Sequence, residues 1–275
     1  MLRSLSSALA RAVFGNRNNH RFMQVAAWRA WRAYAKTKYP LRCEPLPFSG
    51  IQVLGQSNVD DLASIVEGLL SGEPITDGYS GLPRTKNPLV APMIFDVLNQ
   101  HKALIESFYG SYFRVNWFEV QKIVEGYVAP NSGSFGYHTD DGPDGGMKVF
   151  IYLNDTVESS GAFRAFDYRI TDRLIRAGIL KSASPGAPRA DAQKLVSKDL
   201  EKELVVVEGK KGTVFMFDNN LIHKGTLPRL GTRIHISMEI VPSIRPLNYA
   251  EFSKDCDQPI REYFPRNPFR LLRSK

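Results

Sequence analysis

The chain reads as a mainly β fold with flanking helices, a β-sandwich or jelly roll in one large domain. Three observations predict it. With 275 residues and a hydrophobic share of 43%, the chain can bury a substantial core. Beyond residue 112 it breaks into short runs rich in β-branched and aromatic residues, each bounded by Gly, Pro, Asn or Asp. No internal repeat, low-complexity tract or apolar run of membrane-spanning length competes with that pattern.

Residues 2–14 place Leu2, Leu5, Leu9, Ala12 and Val13 on one helical stripe, with Arg3 and Arg11 off it. Residues 20–38 read as a second helix, Met23, Ala27, Ala30, Trp31 and Tyr34 sharing a face and Pro40 ending it. A third spans Asn58 to Leu70, capped by Ser57 or Asn58, with Asp60 and Asp61 in its first turn. A fourth covers 92–109. The strands follow: 112–128, 147–154, 203–209, 212–218 and 232–241. A polar insert at 170–202 interrupts them, helical at 171–178 and 191–201 around the loop SASPGAP. This organisation divides the chain into a basic helical segment, 1–43, and a single domain, 44–275.

Charge separates the same two parts. The net charge is +8, yet the first acid is Glu44, and nine of the 36 basic residues precede it. The body then holds 27 bases against 28 acids, which argues against a general nucleic-acid-binding surface. For residues 1–38 three readings stand open: helices packed on the body, a peripheral membrane contact, and an organelle transit peptide. Cys43 and Cys256 are too few and too far apart for a disulfide framework, which suits a reducing, cytoplasmic setting.

The chemistry gathers around GYHTDDGPDGG, residues 136–146. His138 and Asp140 form an H-x-D pair at a strand end, and alternation turns residues i and i+2 to one side. His223, in FDNNLIHKG, follows another strand 83 residues after Asp140. Two histidines and one carboxylate on one face of a metal leave the opposite positions open, the arrangement of non-haem Fe(II) and oxygen chemistry. Arg233, ten residues on in TRIHISMEI, is a candidate clamp for a carboxylate, and Ser237 lies on the same strand face. The loop DGPDGG reads as the turn that frees space before Lys148 and Tyr152 re-enter the sheet facing the cavity.

From about residue 112 to 242 the sequence resembles the Fe(II)- and 2-oxoglutarate-dependent dioxygenases, in their phytanoyl-CoA dioxygenase-like branch. The phrases that carry the resemblance are GYHTDDGPDGGMKVFIYLND, SSGAF at 159–163, GTVFMFDNNLIHKG and TRIHIS. It implies a double-stranded β-helix, the jelly-roll or cupin-like fold. It implies iron on His138, Asp140 and His223, with Arg233 gripping the distal carboxylate of 2-oxoglutarate and Ser237 assisting. The implied reaction couples oxidative decarboxylation of 2-oxoglutarate by O2 to hydroxylation of a small-molecule, lipid-linked or glycan-linked substrate. Asp140 occupies the position that halogenating relatives leave small. Arg233 stands where the prolyl hydroxylases carry lysine, and Glu239 where nucleic-acid demethylases carry a second arginine. The text GAFRAFDYRITD departs from a family phrase in which proline follows the glycine. The GAF segment, the insert and the N-terminal helices are expected to shape the substrate pocket. A competing reading is a cupin-like module that holds a metal without turnover.

Overall fold

Alternation along the strands sorts the apolar residues onto the two faces of a six-stranded antiparallel sheet of order β1-β7-β4-β9-β3-β2. The chain, described here by a computed structural model, is placed at residues 29–30, 32–40, 44, 46–47, 49–75, 79–82, 87–125, 135–140, 146–176 and 196–253. The strands of this large sheet are β1 (Ile51–Gln56), β2 (Tyr79–Leu82), β3 (Tyr112–Val124), β4 (Met147–Tyr152), β7 (Thr213–Asp218) and β9 (Thr232–Ser243). A smaller sheet, β6-β5-β8, is built from β5 (Phe163–Ala165), β6 (Val205–Val207) and β8 (His223–Lys224). A bridge between His138 and His223 extends it by one more segment.

From residue 138 onward the chain alternates between the sheets: His138 in the small one, β4 in the large, β5 and β6 in the small, β7 large, β8 small, β9 large. That winding is the double-stranded β-helix. On β9, Ile234, Ile236, Met238 and Ile240 face outward and pack with helices α1 (Asp60–Leu70) and α2 (Ala91–Tyr109). The intervening residues face the small sheet, where Phe150, Phe215 and Phe217 meet Phe163 across the gap. The parity of β3 changes partway. A bulge between Val115 and Trp117 sends Phe113 and Val115 before it, and Phe118 and Val120 after it, to the outer core. Trp117 thereby joins the inner face.

Several elements differ from expectation. Helix α1 has Val59 at its N-cap with no side-chain cap. Asn58 Oδ1 instead accepts from Asp60 N at 3.1 Å, and Ser57 Oγ donates to Gln100 Oε1 at 2.8 Å. β9 continues through Pro242, because beyond Ile240 only β3 lies beside it and an edge tolerates proline. Within the insert, α3 (Tyr168–Arg176) begins earlier than its periodicity suggests; of the helix expected at 191–201, residues 191–195 lie outside the described residues and the rest holds one turn, α4 (Lys198–Glu201). β1 is absent from the expected strands although it is as long as β4 and β7, whereas β2, β5, β8 and α5 (Tyr249–Ser253) are too short to carry a pattern that announces them. The helix expected at 2–14, and most of that at 20–38, lies outside the described residues; residues 29–30 and 32–37 are helical. Among the described residues no helix is long and apolar enough to cross a membrane.

Candidate metal centre

Backbone pairing brings the three predicted ligands together. His138 N donates to His223 O and His223 N to His138 O, both at 2.9 Å, an exchange that sets the two rings side by side with centroids 4.4 Å apart. Two residues on, Asp140 N donates to Asn219 O at 3.1 Å. Both histidines are buried, and each is locked by its own chain. His138 Nδ1 donates to Gly136 O at 2.8 Å, and His223 Nδ1 to Leu221 O at 2.9 Å. A carbonyl only accepts, so both rings carry their proton on Nδ1 and direct the Nε2 lone pair the other way.

Those lone pairs meet the carboxylate. His138 Nε2 stands 3.6 Å from Asp140 Oδ1, and His223 Nε2 stands 3.2 Å from Oδ2. One ligand atom from each residue lies within 4.8 Å of the others. Atoms bound to one ion at about 2.1 Å are at most about 4.2 Å apart, so the two nitrogen–oxygen separations suit a shared ion. Two lone pairs facing a carboxylate repel one another unless a cation sits among them, so the donor set fits a divalent metal. Lys148 Nζ supplies part of that positive charge, 2.8 Å from Asp140 Oδ2 and 5.2 Å from the centre of the Trp117 ring. Burial pushes the Asp140 carboxyl up and the Lys148 ammonium beside it pulls it down, with the net direction well below the usual carboxylate range.

Arg233 lies on the inner face of β9 with 3% of its surface exposed. Its Nη1 donates to Gly161 O, while Nε is buried with no partner. Among the described residues no carboxylate pairs with it. Burial lowers its pKa, and an anion beside it would offset the cost of burying that charge. The SSGAF phrase therefore anchors Arg233 through Gly161, whose φ of 85° makes the turn. The phrase also sets Phe163 5.7 Å from the His223 ring. Ser237 shares the inner face, but its hydroxyl donates to Glu119 Oε1 at 3.2 Å.

Lys148 and Tyr152 both face inward, as expected; the Tyr152 hydroxyl donates to Val207 O at 2.7 Å and accepts from Phe163 N at 3.1 Å. Two inner residues carried no signal of their own. Glu239 accepts from Asn116 Nδ2 at 2.6 Å and Asn219 Nδ2 at 3.2 Å, with its carboxyl raised by burial. His235 is 1% exposed, and its Nδ1 has no partner. Counting by twos from Arg233 through 235, 237 and 239 finds both.

No family model and no curated protein matches the chain in sequence. Among solved structures it is similar to EctD from S. alaskensis with bound Fe, at 15% identity and a TM-score of 0.49, over 70% of this chain and 73% of that one. It is also similar to the epimerase SnoN in complex with Fe3+, alpha ketoglutarate and nogalamycin RO, at 14% identity and a TM-score of 0.49, over 78% and 84% of the two chains. HygX from Streptomyces hygroscopicus with nickel and 2-oxoglutarate is similar at 14% identity and a TM-score of 0.45, over 72% and 85%.

Proposed function

We propose that this chain is an Fe(II)- and 2-oxoglutarate-dependent dioxygenase, of the phytanoyl-CoA dioxygenase-like branch, that hydroxylates a small molecule. One observation carries the reading: two backbone-locked histidines and a carboxylate converge on one point, and the same inner face holds a buried arginine with no carboxylate partner. The first set fits a divalent ion with open positions. The second fits the far end of a co-substrate that binds that ion.

His138, Asp140 and His223 would hold the iron, and Arg233 the distal carboxylate of 2-oxoglutarate. Iron so bound, with 2-oxoglutarate and O2, supplies oxidative decarboxylation to succinate and carbon dioxide coupled to oxygen insertion at a substrate C–H bond. The chain's own work is placement. The Nδ1–carbonyl bonds fix both rings before any metal arrives, so little rearrangement opposes binding. Phe163 and Phe217 stand against the His223 ring, with Phe150 packed behind them, and this apolar wall would limit water at the reacting face. Lys148 holds Asp140 Oδ2 and leaves Oδ1 toward His138.

The test is an anaerobic titration of the metal-free protein with Fe(II) and then 2-oxoglutarate. A visible charge-transfer band that needs both additions and is lost in His138→Ala supports the reading, and substrate candidates are then screened by succinate release. Iron binding with no band on adding 2-oxoglutarate would make the protein a metal-holding module instead.

A further inference from the structure

Two buried polar atoms on the inner face of β9 lack partners, and they are neighbours: Arg233 Nε and His235 Nδ1. The residues are 3% and 1% exposed, so water does not satisfy them from outside. Alternation places them side by side, about 6.6 Å apart along the strand. With Nη1 of Arg233 committed to Gly161 O, its remaining edge is Nε–H beside Nη2, the parallel fork to which a carboxylate binds at two points. The His235 ring lies against Phe150, centroids 4.9 Å apart at 30°, which sets its plane. Ser237, the next residue on this face, has its hydroxyl turned to Glu119 on the opposed strand, in direct register with it.

We propose that His235, and not Ser237, is the second donor to the carboxylate gripped by Arg233, giving its Nδ1–H to the distal carboxylate of 2-oxoglutarate. The inference rests on the proposed function. Burial, then the charges of Arg233 and Lys148, push the imidazolium well down, so the ring is neutral and offers one N–H. Arg233 supplies the charge and His235 the direction. A 2-oxo acid ending in a methyl group leaves both donors buried and unpaired, so this pair selects a dicarboxylate.

The experiment measures binding, not turnover. The Fe(II)-loaded protein is titrated anaerobically with 2-oxoglutarate and with 2-oxopentanoate, which lacks the distal carboxylate, and the charge-transfer band is followed. Loss of one hydrogen bond to a charged acceptor weakens binding about 10- to 100-fold. His235→Leu should lose that much for 2-oxoglutarate and little for 2-oxopentanoate. His235→Asn keeps an N–H near the Nδ1 position and should stay within about threefold of wild type. Ser237→Ala should bind both acids as wild type does. The inference is overturned if His235→Leu binds 2-oxoglutarate normally, if it loses both acids alike, if His235→Asn is as weak as His235→Leu, or if Ser237→Ala carries the loss. A wild-type protein that takes iron but not 2-oxoglutarate would overturn the proposed function as well, which separates the two failures.

Discussion

Alanine at Gly161 and alanine at Gly68 should change stability in opposite directions. Gly161 follows a single 3-10 turn, with φ 85° and ψ 38°. A Cβ in the left-handed region costs about 1–2 kcal/mol. Built there, it would also stand 2.5 Å from Thr226 O and 3.1 Å from Pro228 N. Both atoms are backbone and cannot swing aside, so overpacking adds about 1–3 kcal/mol. The sum is a loss of about 2–5 kcal/mol. Gly68 is an exposed residue of α1, and nothing lies within 4 Å of where its Cβ would be. Alanine there gains about 0.5–1 kcal/mol from helix propensity. In a chain of this size 1 kcal/mol moves the midpoint by about 2 °C, so Gly161→Ala should melt about 4–10 °C lower and Gly68→Ala about 1–2 °C higher. Thermal unfolding followed by circular dichroism reads both. Because Gly161 O accepts from Arg233 Nη1, Gly161→Ala should also weaken 2-oxoglutarate binding at a temperature where it is folded, with metal affinity kept. An unchanged midpoint in Gly161→Ala would refute the steric reasoning.

Three further outcomes follow from the site and the core. Arg233→Ala should bind Fe(II) normally but 2-oxoglutarate at least about 100-fold more weakly, since it removes a two-point charged contact; equal loss of both ligands in the same titration would show that Arg233 is structural. Lys148→Met removes the cation 2.8 Å from Asp140 Oδ2, leaving the carboxylate against the histidine lone pairs, so the metal-free protein should lose about 1–3 kcal/mol and a divalent ion should raise its melting temperature more than it raises that of wild type; equal shifts in a thermal-shift assay would count against that role. Glu106 is 5% exposed with Oε1 unpartnered, and burial raises its carboxyl above the ordinary 4.5 despite Lys102. The fold therefore holds the proton more tightly than the unfolded chain does, and stability falls as pH rises from about 4.5 through the folded value. Glu106→Gln should match wild type near pH 4 and exceed it by about 1 kcal/mol at pH 7; a constant difference across that range would remove Glu106 as the cause.

The H-x-D pair, His223 and Arg233 were legible because each is a rare chemical type at a spacing that strands impose. The choice between His235 and Ser237 was not. Both share the parity of Arg233, and what separates them is Glu119 on β3, which faces Ser237 only because of a register set after a bulge at Asn116. A bulge leaves no periodic trace, so the inner row of β3 could not be assigned to a face from its sequence. The α1 cap failed for a similar reason. Ser57 has a cap residue's chemistry, but Gln100 and His101, more than forty residues away, hold its hydroxyl. β8 is two residues long and exists through its neighbours on either side, Arg164–Ala165 and His138.

The insert was expected to shape the substrate pocket, and strand parity places its described parts elsewhere. Residues next to a ligand point to the opposite face of the small sheet. Tyr137 and Lys224, beside His138 and His223, both meet Glu201 of α4, at 2.8 Å and 3.1 Å. Ile170 and Leu174 of α3 pack with Tyr137, Phe166 and Ile222 in the same outer cluster. Thr171 Oγ1 accepts from Ile222 N at 3.2 Å and so braces the segment that carries His223. The small sheet therefore stands between α3–α4 and the metal ligands, and these helices act on the site by holding its strands. Among the described residues, Trp117 and Glu119 of β3 face the same space as Lys148 and Ser237 and are the candidates for substrate selectivity under the proposed function. Substitutions on the buried face of α3 should lower stability with 2-oxoglutarate affinity kept, whereas Trp117→Ala should alter substrate-coupled succinate release with the metal–2-oxoglutarate band intact. The reverse pattern would place the pocket on the insert after all.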